Sequence, residues 1–366
     1  MRAAVFRGPG EIQLEEMPIP HPALGEALMR VGGAGICATD LRIFKSGHHR
    51  IPIGTTRILG HELAGEIVET GDGVIGLAPG MHVGVAPNVG CGICRECVTG
   101  WTNLCQDYQA FGISLDGAFA EYMLITAQAI RQGNVMVIPP DTSYPAAALA
   151  EPLSCCLNGQ EAVRVGPDDI VVIVGAGPIG IMHLLLAKLR GARRVVVSEV
   201  SQPRLLQAIQ AGAQSVVNPQ EQRLREVVLE ISEGRGADVV VVAAGSAEAQ
   251  AESLELAGRR GRIVFFGGLR KDQPMAHVNA NLIHYGQLLV TGTTGSSVRQ
   301  YRSALQMITD GRIDARALIG DVLPLEKVHE GFRRTESAGE MRIILQPGNA
   351  DLRRPMERQD PKSTRS

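Results

Sequence analysis

The stretch IVVIVGAGPIGIMHLLLAKL, Ile170 to Leu189, decides the fold. Its first five residues are β-branched and apolar with no polar break, the pattern of a strand covered by helices on both faces. Gly175, Gly177 and Gly180 then stand in the spacing G-x-G-x-x-G, between that strand and an apolar helix, in the loop Gly175-Ala176-Gly177-Pro178-Ile179-Gly180. Gly175 permits a tight turn, Gly177 lets the backbone approach a pyrophosphate, and Gly180 lets helix pack closely on strand, while the helix N-terminus offers free N–H groups to the anion. A lone glycine pattern is weak and describes many strand-to-helix turns. Here a second strand run, Val195 to Ser198, ends at Glu199, about twenty residues past the glycines, where an acid accepts hydrogen bonds from both hydroxyls of a ribose. The same carboxylate repels a 2′-phosphate, so NAD is expected in preference to NADP, with Arg204 close enough in sequence to modify that choice. The bland reading of Glu199 is a solvated acid at a strand end.

Working outward, the runs Val195–Ser198, Val239–Val242, Ile263–Phe266 and Leu288–Thr291 alternate with helical segments. This is βαβ texture and predicts an α/β half with a doubly wound parallel sheet over residues 155–294. Gly245, Gly267, Gly268 and Thr291-Gly292-Thr293 follow later strands at the carboxyl edge of that sheet; they line the nicotinamide end or are turns without ligand. Residues 1–154 have a different texture, rich in valine and glycine, with short runs at Ala27–Val31, Leu63–Val68 and Ala120–Thr126, and read as an irregular β-rich domain. Beyond Thr293, a helix over Val298–Thr309 and a mixed segment ending in Met341–Leu345 make up residues 295–346, expected to rejoin the first domain. Residues 347–366 are polar, carry Pro355 and Pro361, and are expected to be a disordered tail.

The whole chain sets outer bounds. Its 366 residues exceed one ordinary core and suit two domains. The 36 basic and 38 acidic residues leave a net charge of -2 with no basic block in the body, so neither nucleic acid nor an anionic membrane is an expected partner. Ile170–Ala187 lacks formal charges, but its glycines and Pro178 interrupt it, and it reads as strand, turn and buried helix rather than a membrane span. No long apolar leader follows Met1, so a cytoplasmic protein is expected.

Four of the seven cysteines, Cys91, Cys94, Cys97 and Cys105, crowd into a glycine-rich stretch, in a lobe of about residues 88–106. With two, two and seven residues between them, they suit a tetrahedral zinc with four thiolates, a closed site that braces a loop and leaves no position for substrate. A nucleic-acid-binding zinc ribbon shares the cysteine logic but needs a basic and aromatic face that is missing here. Elsewhere, Cys37-Ala38-Thr39-Asp40 and Gly60-His61-Glu62 supply the thiol, imidazole and carboxylates of a second metal site. A lone histidine is ordinarily a satisfied core residue; the company of Cys37 and Glu62 argues otherwise. Cys155 and Cys156 read as packing residues.

With Gly60-His61-Glu62-x-x-Gly65 and the four-cysteine lobe, the chain resembles the zinc-containing medium-chain alcohol dehydrogenases over nearly everything to about residue 347. Glu151-Pro152-Leu153 is similar to the sorbitol and polyol dehydrogenase branch. The resemblance implies a GroES-like β-rich catalytic domain with a Rossmann domain, two zinc ions, NAD, and a homodimer or homotetramer built through the cofactor domains. It implies that Cys37 and His61 bind the catalytic zinc, with Glu62 and Glu151 near it, one directly and the other through water or on exchange. Asp40 is implied to orient the histidine, and Thr39 to take the proton of a zinc-activated alcohol as hydride passes to NAD. The cofactor set is then Gly175, Gly177, Pro178, Ile179, Gly180, Glu199, Arg204, Gly245, Gly267 and Thr293, and the substrate a secondary alcohol of a polyol, sugar or cyclitol that becomes a ketone. Threonine-dehydrogenase-like oxidation of an amino alcohol is the rival within enzymes. A non-catalytic NAD-binding structural protein is the rival from another class. One departure stands out: many relatives carry a histidine where this chain has Arg42, and an arginine holds its proton too tightly for a relay. The proton then leaves through water or through His48 or His49, and Arg42 grips a cofactor phosphate, grips an anionic substrate group, or is simply a solvated surface residue.

Overall fold

A computed structural model describes residues 1–270, 272–337 and 339–348. The tail expected beyond Gly348 lies outside the described residues. Strand β1 (Ala27–Gly35) is buried along nearly its whole length and pairs antiparallel with β2 (Glu62–Thr70), Val31 opposite Gly65 and Gly35 opposite Glu62. Helix α1 (Ala38–Ser46) leaves the end of β1 through its N-cap Cys37 and stops at Gly47, which takes a positive φ of 68°. Strands β3 (His82–Val85) and β4 (Val135–Val137) extend the sheet beyond β2.

Helix α2 (Ala150–Ala162) carries the chain from the first sheet toward the second, so the division expected at residues 154/155 falls inside a helix. The second sheet is parallel throughout. It comprises β5 (Ile170–Val174), followed by α3 (Pro178–Leu189), then β6 (Arg194–Ser198), β7 (Ser215–Val217), β8 (Ala237–Val242), β9 (Ala257–Phe265) and β10 (Leu289–Gly292). The spatial order is β7-β6-β5-β8-β9-β10. The chain therefore reverses direction across the sheet at β5 and β8, and a crevice opens beyond their carboxyl ends. Val171, Val195, Val239 and Val264 are fully buried, which is why these runs carry no polar residue. Two details differ from the sequence reading. Strand β7 is three residues, too short to show a period, and β9 begins six residues before Ile263 because its start includes the exposed Arg259 and Arg260.

Helix α4 (Val298–Thr309) starts with a reciprocal cap between Ser297 and Gln300 and packs against α2. The chain then returns to the first sheet as β11 (Ile319–Pro324) and β12 (Arg342–Gln346), a parallel pair whose inner member lies antiparallel to β1 with Ile344 opposite Gly35. That return sets Arg342 beside residues more than 270 positions earlier. Among the described residues no helix is long and apolar enough to cross a membrane.

Candidate active site

Cys37 stands at the N-cap of α1, and His61 and Glu62 at the start of β2, so the pairing of β1 with β2 brings them together. Their ligand atoms lie within 4.8 Å of one another. Asp40 ties the two segments: one carboxylate oxygen accepts the Cys37 N–H at 2.8 Å, the other accepts the Gly60 N–H at 3.3 Å and lies 3.3 Å from His61 Nδ1. The last approach is off line for a hydrogen bond, so it acts as a charge contact between Asp40 and the Nδ1 side of the ring. Burial disfavours a charged His61, but the Asp40 carboxylate and the Cys37 sulfur outweigh it and raise the imidazole pKa well above its usual value. A site that attracts a proton this strongly has the electrostatics to hold a cation in its place.

Glu62 is fully buried, and no carboxylate oxygen of it has a well-aligned hydrogen bond among the described residues. Burial first, then the nearby Glu151, pushes its pKa up to about 7, while Arg342, with Nε 3.1 Å from Oε2, pulls it down. Gly35 on β1 makes room for it: a Cβ there would lie 2.2 Å from Glu62 Oε2. Arg342 is itself buried and donates to the Ile36 carbonyl at 3.2 Å. The sequence reading missed this arginine; its signal was a charge inside the apolar run Met341–Leu345. Glu151, in the first turn of α2, lines the same cleft but falls outside the group formed by Cys37, His61 and Glu62. Cys155, one turn further along, is half-buried and donates its S–H to Glu151 Oε1 at 3.3 Å. It borders the cleft, which corrects its reading as a packing residue; Cys156 is buried as expected.

In the lobe, the sulfurs of Cys91, Cys94, Cys97 and Cys105 also lie within 4.8 Å of one another. Backbone N–H groups of Ile93 and Cys94 lower the Cys91 thiol to about 7, while Cys94, against the pull of the Cys97 N–H, is pushed up to about 12 by desolvation and the neighbouring thiols, so the four sulfurs act on one another's ionisation. Gln128 and Gln132 both donate to the Gly90 carbonyl and fasten the lobe to the domain. All four donors are sulfur with no open position, which suits a structural zinc; the one-sulfur, one-imidazole, carboxylate-flanked group suits a metal that also meets substrate. The lobe reaches the other cleft too: Trp101 and Leu104 line it, and Asn103 donates to the Thr294 carbonyl at 2.8 Å.

The crevice beyond β5 and β8 forms a cavity of about 980 Å³, lined by Gly175, Gly177, Pro178, Gly180, Arg204 and Gly245 among others. Gly180 is imposed by packing, since a Cβ would lie 1.9 Å from the Gly175 carbonyl oxygen. Gly177 is not: the nearest protein atom to a Cβ there is 3.8 Å away, on Arg204, so its bareness leaves room for something other than protein. Glu199 is already engaged. It accepts from the Ala176 N–H at 2.9 Å and from Val200 and Ser201 at 2.8 and 3.0 Å, with Arg204 3.6 Å from Oε2. The acid thus holds the glycine loop in shape as well as facing the crevice. Ile179, Gly267, Gly268 and Thr293 line the second cleft with Cys37 and His61, and the Thr293 hydroxyl is buried without a partner among the described residues. Gly267 is also explained by packing, a Cβ there lying 2.5 Å from the Ala244 carbonyl oxygen.

Comparison with known proteins adds the following. Residues 23–135 match the alcohol dehydrogenase GroES-like domain and residues 178–310 the zinc-binding dehydrogenase family. The chain is 34% identical to the L-threonine 3-dehydrogenase of Pyrococcus furiosus, covering 90% of this chain and 91% of that one. It is 32% identical to the sorbitol dehydrogenase of Bacillus subtilis, over 91% and 93%. Among solved structures, a zinc-binding dehydrogenase of Sinorhizobium meliloti bound to NADP superposes with a TM-score of 0.87 at 30% identity, over 94% of this chain and 99% of that one.

Proposed function

Because the chain belongs to the zinc-containing medium-chain alcohol dehydrogenase superfamily, we propose that it oxidises a secondary alcohol of a polyol, sugar or cyclitol to the ketone with NAD as acceptor. One observation carries the reading. The tight group of Cys37, His61 and Glu62 shares a single cleft with Ile179, Gly267 and Thr293 from the edge of the parallel sheet.

Cys37, His61 and one of the two glutamates would hold the catalytic zinc, and Cys91, Cys94, Cys97 and Cys105 a structural one. Bound there, the catalytic zinc supplies Lewis acidity toward the substrate hydroxyl, and the dinucleotide supplies the hydride acceptor. Thr39, two residues past Cys37 and lining the same cleft, takes the hydroxyl proton and passes it outward. Asp40 fixes the segments bearing Cys37 and His61 at once, and Arg342 balances the Glu62 carboxylate when it is ionised. Gly175, Gly177, Pro178 and Gly180, with the N-terminus of α3, receive the pyrophosphate, and Glu199 with Arg204 the adenosine ribose. A homodimer or homotetramer in the cytoplasm completes the reading.

The identity to the Pyrococcus enzyme favours a second reading, oxidation of L-threonine. The test is a screen of secondary alcohols, polyols and L-threonine for reduction of NAD and, in parallel, NADP. Expected are turnover of a polyol-type alcohol, kcat/KM about 10-fold or more in favour of NAD, and two zinc equivalents by metal analysis. Turnover of L-threonine or primary alcohols alone would overturn the substrate class, and a preference for NADP the role given to Glu199.

A further inference from the structure

Among the described residues, the charges around the catalytic cleft leave one cation unbalanced, the exposed Arg42. Arg342 is held by Glu62, Arg57 donates to Asp116, and Lys45 pairs with Glu336. Arg50 donates to the carbonyls of Tyr108 and Gln106 and lies over the Tyr108 ring. Arg42 lines the cleft with Cys37, Thr39 and His61, and no described residue offers it a hydrogen bond or an ion pair. It lies on α1 three residues after Thr39, so the two share one side of that helix, with Cβ atoms about 5–6 Å apart.

Arg42 does not line the crevice of the glycine loop, whose arginines include Arg204, Arg223 and Arg225. The phosphates of a dinucleotide therefore have other cations to meet. A guanidinium presents a planar fork of donors suited to carboxylate or phosphate, and an unpaired one at the side of a metal-bearing cleft raises the local concentration of anions. His48 lines the same wall, where its Nδ1 accepts the backbone N–H of Arg50 at 3.2 Å.

We propose that the substrate is an acidic alcohol, carrying a carboxylate or a phosphate a few bonds from the reacting hydroxyl, and that Arg42 binds that anionic group. This rests on the dehydrogenase reading above and narrows it from polyols in general to their acidic derivatives.

The test uses the zinc-loaded enzyme and matched probes, erythronate against erythritol and glycerol 3-phosphate against glycerol. Binding to the NADH complex is followed by calorimetry, and oxidation by NADH formation. The anionic member of at least one pair should bind about 10-fold or more tightly, and Arg42→Gln should lower kcat/KM about 10- to 100-fold more for acidic than for neutral alcohols, with Arg42→Lys between. NADH affinity, measured separately, should not follow that pattern. Preference for erythronate identifies a sugar acid and preference for glycerol 3-phosphate a phosphorylated polyol; either supports the proposal. Charged and neutral members that behave alike overturn it, as does an Arg42→Gln variant that loses NADH as much as it loses the anion. If an Arg42-dependent anion binds but no alcohol is oxidised, the dehydrogenase reading fails while the anion site stands.

Discussion

The two candidate metal-binding clusters are built in opposite ways. The lobe draws four sulfurs from Cys91 to Cys105, a single local excursion of chain, and none of its short helices buries a residue. The other cluster draws on α1, the start of β2, α2 and, through Arg342, the last strand β12. Its polar members Asp40, His61, Glu62, Glu151 and Arg342 are all at most 8% exposed. The lobe is chemically uniform and coordinatively closed. The deep cluster is chemically mixed, carries its own counter-cation, and opens on a cleft. A local site of like donors can brace a surface; only a site assembled from several elements can put unlike groups around one point and leave a side free for a reactant.

Removing Cys37 should separate the two most strongly. Cys37→Ala is expected to lower kcat about 10⁴-fold, near 5.4 kcal/mol, with Tm little changed and one zinc equivalent retained by metal analysis. Loss of both equivalents would mean that the clusters are not independent.

Next in size, Arg342→Met leaves Glu62 buried without its partner and should cost about 3–5 kcal/mol in denaturant unfolding. The double variant Glu62→Gln/Arg342→Met should recover much of that loss. Additive losses in the double variant would show that packing, rather than charge, makes Arg342 necessary.

In the lobe, Cys97→Ser should release the second zinc and lower Tm by roughly 5–10 °C. Activity of the folded fraction at low temperature should suffer less than in Cys37→Ala, since Trp101 and Leu104 of the lobe only line the cleft. Equal loss of turnover at full zinc occupancy of the deep cluster would move the lobe from brace to participant.

The smallest effect at neutral pH contrasts two buried histidines. Asp40 and Cys37 hold His61 pKa high, whereas His183 on α3 has no charged neighbour to offset its burial, which drives its pKa down to about 3. His183 therefore stays neutral when folded and takes up a proton only on unfolding. Stability should fall by about 1.4 kcal/mol per pH unit as pH drops below about 6.5 toward 3. His183→Gln should remove that slope, and acid unfolding curves that coincide with the unsubstituted protein would refute it.

The same contrast explains what could be read in advance. The glycine loop, the strand runs and the cysteine lobe are local: spacing along the chain is nearly spacing in space, so pattern alone identifies them. Cys37 and His61 were legible by type and by resemblance. Asp40 holding both of their segments, Glu62 filling the space beside Gly35, and Cys155 donating to Glu151 were not, because each depends on a strand register or a helix phase that no short motif encodes. Arg342 was least legible, since its partner lies on the far side of the whole second domain in sequence.

What the sequence determined by itself, then, is the set of elements and the donors available: a parallel sheet from unbroken β-branched runs, an anion-receiving turn from three glycines, and sulfur clusters from cysteine spacing. Tertiary structure alone decided which donors meet and which charges are balanced, Glu62 against Arg342 and Arg42 against nothing described. Burial and charge balance depend on distances across elements, and those are set only when β12 returns to β1 and the crevice of the parallel sheet opens on the cleft that holds Cys37, His61 and Glu62.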